Sequence, residues 1–206
     1  MSKLLLVRHG RTKLYKNDRF WGSTDVSLSD IGISQAERLR DRLANETINS
    51  VYTSTLSRTR QTAKIITSGR NLDIQEQEEL CECNFGYAEG LTFDEITVQY
   101  PELAQVLRGL DTCAQFPGGE SFNELDSRVK KFLKQMDSRE NKGTILIVAH
   151  ASPLKIMLCH MLGIAVENWR KFRFDLASLS VVETYPEGVI VCHLNDISHL
   201  KIQEVI

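Results

Sequence analysis

Leu4-Leu5-Leu6-Val7-Arg8-His9-Gly10 is the stretch on which the fold turns. Four apolar residues run without alternation into Arg8 and His9. That is the pattern of a strand buried on both faces and ending at a polar rim. Residues 50–53 (Ser-Val-Tyr-Thr) have the same character, and residues 144–149 (Thr-Ile-Leu-Ile-Val-Ala) repeat it before His150. Each run precedes a helical pattern, over residues 30–44, 57–68 and 153–162. In the first, Ile31, Ala36, Leu39 and Leu43 fall at helical spacing, with Arg38, Arg40 and Asp41 turned outward. A further helix is predicted over 122–136, with Leu125, Val129, Phe132, Leu133 and Met136 as its stripe. Residues 179–185 and 189–194, parted by Pro186-Glu187-Gly188, read as a strand pair. Strands alternating with helices imply an α/β three-layer sandwich: a mostly parallel central sheet with helices on both faces. Residues 77–120 are less regular and read as a small cap over one edge.

At 206 residues the chain is expected to form one domain. It is long enough to bury roughly 70% of its unfolded surface without help from disulfides or metal. Its 25 Lys+Arg against 27 Asp+Glu give a formal net charge of −2, which excludes a nucleic-acid-coating protein. No apolar run approaches a membrane span. Four apolar residues after Met1-Ser2-Lys3 are too few for a secretory signal. Five scattered cysteines (Cys81, Cys83, Cys113, Cys159, Cys192) read as reduced thiols, so a cytoplasmic location is expected. Cys81-x-Cys83 has no second cluster to complete a metal site, and no cofactor is expected.

Ligands of open α/β sheets bind beyond the carboxyl ends of the strands. His9 and His150 both follow strands there, and Arg58 opens the helix after the second strand. Each alone has an ordinary explanation: a histidine satisfied within the core, or an arginine paired with a carboxylate. Three such residues from distant sequence on one rim instead describe a cationic hole for a tetrahedral anion, with helix-start N–H groups as further donors.

These residues also carry a family resemblance. Arg8-His9-Gly10-Arg11-Thr12 resembles the signature of the histidine phosphatase superfamily, the phosphoglycerate-mutase-like enzymes. Four further blocks follow in order. They are Phe20-Trp21-Gly22-Ser23-Thr24-Asp25 with Leu28 and Gly32, residues 53–63, residues 80–90 (Leu-Cys-Glu-Cys-Asn-Phe-Gly-Tyr-Ala-Glu-Gly), and Pro117-Gly118-Gly119-Glu120-Ser121 with Val148-Ala149-His150. Five ordered blocks are far more specific than the first alone.

The resemblance implies that His9 is a nucleophile forming phosphohistidine, while Arg8, Arg58 and His150 hold the phosphoryl oxygens. Glu82 is implied as the acid that protonates the leaving oxygen and then as the base for water. Glu89 and Glu120 are read as structural carboxylates. Two positions depart from the family: Tyr15 stands where many members carry a phosphate-binding Asn, and Ala151 follows the second histidine in place of Gly. Asn17 is a candidate replacement for that Asn.

Only about thirty residues join Gly90 to Glu120, leaving little room for the closing insertion of the classical mutases, so hydrolysis is expected. Within the phosphatases the pattern resembles the α-ribazole phosphatases of the cobalamin pathway, with Trp21 and Gly22 as substrate-binding residues. Trp21 and Phe85 are candidates to stack on a base, core packing being the first reading for Phe85. The partner implied is a small phosphorylated metabolite, handled by a monomer or homodimer. The alternatives are a phosphoglycerate mutase, a broad sugar or glycerate phosphatase, a non-catalytic phosphate-binding regulator, and a metal hydrolase using His9, His150 and Cys81 or Cys83.

Overall fold

The computed structural model describes residues 1–15, 19–109, 115–138 and 143–200. Four parallel strands, β1 (Ser2–Arg8), β2 (Ser50–Thr53), β3 (Ile74–Glu76) and β4 (Gly143–Ala149), join an antiparallel pair, β5 (Leu179–Tyr185) and β6 (Gly188–Asp196). The spatial order is β3-β2-β4-β1-β5-β6. The period-2 geometry of strands divides each apolar run between two layers. Leu4, Leu6, Ile145, Ile147 and Ala149 meet α5 (Phe122–Ser138) and α6 (Ala151–Met161). Leu5, Val7, Leu146 and Val148 meet α1 (Asp30–Arg42) and α2 (Ser57–Ile66). Coverage on both faces is why the runs show no hydrophobic alternation. Among the described residues, no helix is long and apolar enough to cross a membrane.

The predicted strands and helices form within two residues of their expected ends. Ile31 is a correction: it is 53% exposed, and Gly32 is the residue that α1 presses inward. A Cβ on Gly32 would stand 2.0 Å from the Arg11 carbonyl oxygen. Leu133, placed in the stripe of α5, is only partly buried, whereas Leu125, Val129, Phe132 and Met136 are core residues. The cap is more regular than its sequence implied. It holds two helices, α3 (Phe93–Gln99) and α4 (Pro101–Gly109), which pack into the layer of α5 and α6.

This layering positions the site. In the parallel register Arg8 pairs with Ala149, and Val148 with both Val7 and Thr53, so β1, β2 and β4 end together. The cap stands over that rim.

Candidate active site

The chain beyond β1 stays pinned for one more residue. His9 N donates to the Ala149 carbonyl (3.1 Å), and the His9 carbonyl accepts from Ala177 N (3.1 Å). His9 Nδ1 lies 2.8 Å from the Gly10 carbonyl oxygen. A carbonyl only accepts, so Nδ1 carries the hydrogen and Nε2 keeps its lone pair. Gly10 is obligatory because a Cβ there would stand 2.6 Å from the Gly32 oxygen.

His150 precedes the first turn of α6, and its ring meets that of His9 edge-on at 5.0 Å. Arg58 Nε donates to His150 Nδ1 (3.3 Å), which puts the imidazole hydrogen on Nε2, facing Ser54 Oγ at 2.8 Å. Burial holds both histidines well below the ordinary imidazole range, and the Arg58 and Arg8 charges push the same way.

Arg58 is 2% exposed yet has no carboxylate within ion-pair distance among the described residues. Carbonyls hold it instead: Gly22 at 2.6 Å and Thr24 at 2.9 Å. The loop that supplies them is held in turn by Glu89. This carboxylate accepts from Ser23 N and Ser23 Oγ (both 2.6 Å), Thr24 N (2.9 Å) and Thr24 Oγ1. Asp25, next in the loop, accepts from Ser57 N (2.7 Å) and Ser57 Oγ (2.6 Å) and so caps α2. Arg8 gives one N–H to the Phe174 carbonyl (2.7 Å), and its buried Nε has no partner. Burial lowers the guanidinium pKa of both arginines, with Glu82 opposing.

Glu82 is 8% exposed and accepts from Cys83 N (2.9 Å) and, more weakly, from Ser152 N in the first turn of α6 (3.4 Å). Its backbone is fixed from α5. Arg128 forms a two-pronged pair with Glu120 (2.6 and 2.9 Å) and donates to the carbonyls of Glu79, Cys81 and Glu82. Glu89 and Glu120 are thus structural carboxylates, each one step removed from the cavity.

Arg8, His9, Arg58 and Glu82 open into one cavity of about 740 Å³. His150 is fully buried behind His9 and Arg58. Trp21, Tyr15 and Ala151 also line the cavity, and the Arg11 guanidinium sits 4.9 Å above the Tyr15 ring. Phe85 stacks edge-on against Phe20 (5.1 Å) and Phe116 (4.9 Å), packing on the core while its edge reaches the cavity. Gly22, expected to touch substrate, is not on the wall: its carbonyl holds Arg58, and a Cβ there would stand 1.9 Å from the Cys83 oxygen. Asn17 and Cys113 lie outside the described residues. The four described cysteines are free thiols, and no three His, Cys, Asp or Glu side chains among the described residues converge to hold a metal ion. Sequence reading gave no role to Ser54, Asp25, Arg128 or Lys155. Ser54 and Asp25 stood within quoted blocks.

A histidine with a free Nε2 beside the buried Arg58, the half-buried Arg8 and a carboxyl is an arrangement for phosphoryl transfer, and the model of the histidine phosphatase superfamily (branch 1) matches residues 4–197. The chain belongs to the histidine phosphatase superfamily. It is a phosphatase-class enzyme. This histidine phosphatase is 32% identical over 200 residues to phosphoserine phosphatase 1 of Hydrogenobacter thermophilus, covering 97% of this chain and 95% of the relative. It is likewise 32% identical over 206 residues to a probable phosphoglycerate mutase, GpmB, of Yersinia pestis, covering 97% and 95%. Among solved structures it resembles a putative alpha-ribazole-5'-P phosphatase of Escherichia coli, with a TM-score of 0.89 and 26% identity over 95% of this chain and 96% of that one.

Proposed function

We propose that the chain, acting as a single cytoplasmic domain over residues 1–206, hydrolyses phosphomonoesters through a phosphohistidine on His9. One observation carries the reading: the Gly10 carbonyl takes the Nδ1 hydrogen, which leaves Nε2 as a lone-pair nucleophile in the cationic cavity. Nε2 attacks phosphorus in line while Arg8 and Arg58 offset charge on the equatorial oxygens. His150 Nδ1 accepts from Arg58 in this geometry. A phosphoryl dianion that draws the Arg58 N–H away from Nδ1 favours a proton there and makes it a donor to oxygen. The bond from phosphorus to the leaving oxygen breaks as Glu82 supplies that oxygen with a proton. Glu82, now a carboxylate, then takes a proton from the water that attacks phosphohistidine, and His9 and inorganic phosphate are released.

The test is turnover by wild type and His9→Ala, with acid-labile labelling of the protein by a ³²P-phosphomonoester. Loss of both turnover and label is the expected result for the variant. Equal turnover would overturn the mechanism, and binding without any wild-type turnover would support a phosphate-binding regulator.

The narrower substrate reading divides. An α-ribazole 5′-phosphate substrate is supported by the aromatic wall, where Phe20, Trp21, Phe93, Phe116 and Trp169 give a ring something to stack on, and by the likeness to the E. coli structure. A phosphoserine or phosphoglycerate substrate is supported by the two relatives that are 32% identical. Ranking kcat/KM over these phosphomonoesters separates the two.

A further inference from the structure

Arg8, His9 and Arg58 mark the phosphoryl part of the cavity, with His150 buried behind them. Lys155 of α6 lines the same cavity, with Nζ 5.2 Å from the Trp169 ring centroid, and the Arg170 guanidinium lies 5.3 Å from the same ring. Arg170 donates to the Leu107 carbonyl. Among the described residues neither cation has a carboxylate within ion-pair distance, and Lys155 Nζ has no hydrogen-bond acceptor.

That is unusual for a half-buried ammonium, which costs free energy unless something answers its charge. Burial draws the Lys155 ammonium below the ordinary lysine range, with the Glu82 charge opposing. Of the charged residues on the cavity wall, Arg19 is answered by Glu95 at 2.7 Å, and Arg8 and Arg58 face the phosphoryl part. Among the described residues Glu82 is the one carboxylate on that wall, and a proton-donating role removes it as a standing partner for lysine. Among the described residues, two cations on one indole in this cavity therefore lack an ion-pair partner.

We infer that Lys155, with Arg170 beside it, forms a second anion subsite that recognises a carboxylate or second phosphate on the leaving group of the substrate. The inference rests on the phosphomonoesterase reading and deepens it. A leaving group with an apolar body against the aromatic wall and an anion at Lys155 uses the whole cavity. A neutral ribazole leaves both cations unanswered.

The experiment compares wild type, Lys155→Met and Lys155→Arg on paired substrates. Phosphoserine and 3-phosphoglycerate carry a carboxylate and fructose 1,6-bisphosphate a second phosphate. Ethyl phosphate and α-ribazole 5′-phosphate carry neither. The readout is the ratio of kcat/KM between anion-bearing and neutral substrates. Lys155→Met is expected to lower that ratio about tenfold, mainly through KM, and Lys155→Arg to restore most of it. Whichever of the carboxylate and phosphate arms shifts more identifies the anion. An unchanged ratio overturns the subsite, whether both classes fall together or neither falls. If wild type turns over nothing, the catalytic reading fails on its own. Calorimetry of phosphoserine against ethyl phosphate on His9→Ala, with and without Lys155→Met, then still reads the subsite.

Discussion

The His9 imidazole gives its Nδ1 hydrogen to a carbonyl one residue away, while Arg58 and Arg8 oppose any second proton. His150 is held neutral by burial and the same charges, and it passes its own hydrogen to Ser54. Both rings were legible as candidates because each ends a strand. Which nitrogen of each is free was not, since this depends on a carbonyl, a serine and an arginine placed by the fold. Glu82 was legible only through its likeness to the family. Its presentation depends on Arg128, 46 positions away. If Glu82 donates the leaving-group proton, Glu82→Gln should depend on the leaving group. Its kcat on an alkyl phosphate is expected to fall by about 10² to 10⁴, and its kcat on p-nitrophenyl phosphate, whose leaving oxygen needs no proton, by far less. Equal losses on the two esters would assign Glu82 to positioning instead.

Among the elements, the loop of residues 22–25 does more than its sequence shows. Its carbonyls hold Arg58, its Asp25 caps α2, and Glu89 fixes it through four donors. Glu89→Ala removes a half-buried carboxylate whose bonds to charged oxygen are worth about 1–3 kcal/mol each at most, less where solvent reaches them. The expected outcome is a kcat about 10- to 100-fold lower, through misplacement of Arg58, together with a lower midpoint in urea. Unchanged kcat would show that Arg58 keeps its place without the clamp. The cap helices were missed although Thr92-Phe93-Asp94-Glu95 is a capping-box pattern, and both of its reciprocal bonds form. The seven residues of α3 are too few to show a stripe, and β3, with three, is too short to show any period. In α1 the periodicity named Ile31 where Gly32 faces inward, because close approach to the Arg11 backbone rewards the absence of a side chain, which hydrophobicity does not register.

For the whole molecule, the buried histidines set the response to acid. His9, His150 and His199 are all held below the ordinary value of about 6.5 that they regain on unfolding. Between the folded and unfolded values the unfolded chain binds more protons, so stability is full above about pH 6.5 and is lost as pH falls beneath it. The slope approaches about 1.4 kcal/mol per pH unit for each fully unprotonated histidine. Carboxylates held low in the fold, such as Glu89, contribute their loss only at lower pH, through the carboxylate range. Urea midpoints should therefore drop between pH 7 and pH 5.5, and saturating phosphate should shrink the drop by favouring a proton on His150. A flat midpoint over this interval would contradict the neutral-histidine assignment.

The amino-acid sequence determined the sandwich and the rim, because strand burial and helix periodicity are local patterns and because Arg8, His9, Arg58 and His150 each sit at the end or start of an element. Only the tertiary structure decided the protonation of the histidines, the clamps on Arg58 and Glu82, and the cavity that sets Lys155 and Arg170 on one indole. These depend on distances between residues far apart in the chain, which no local pattern encodes.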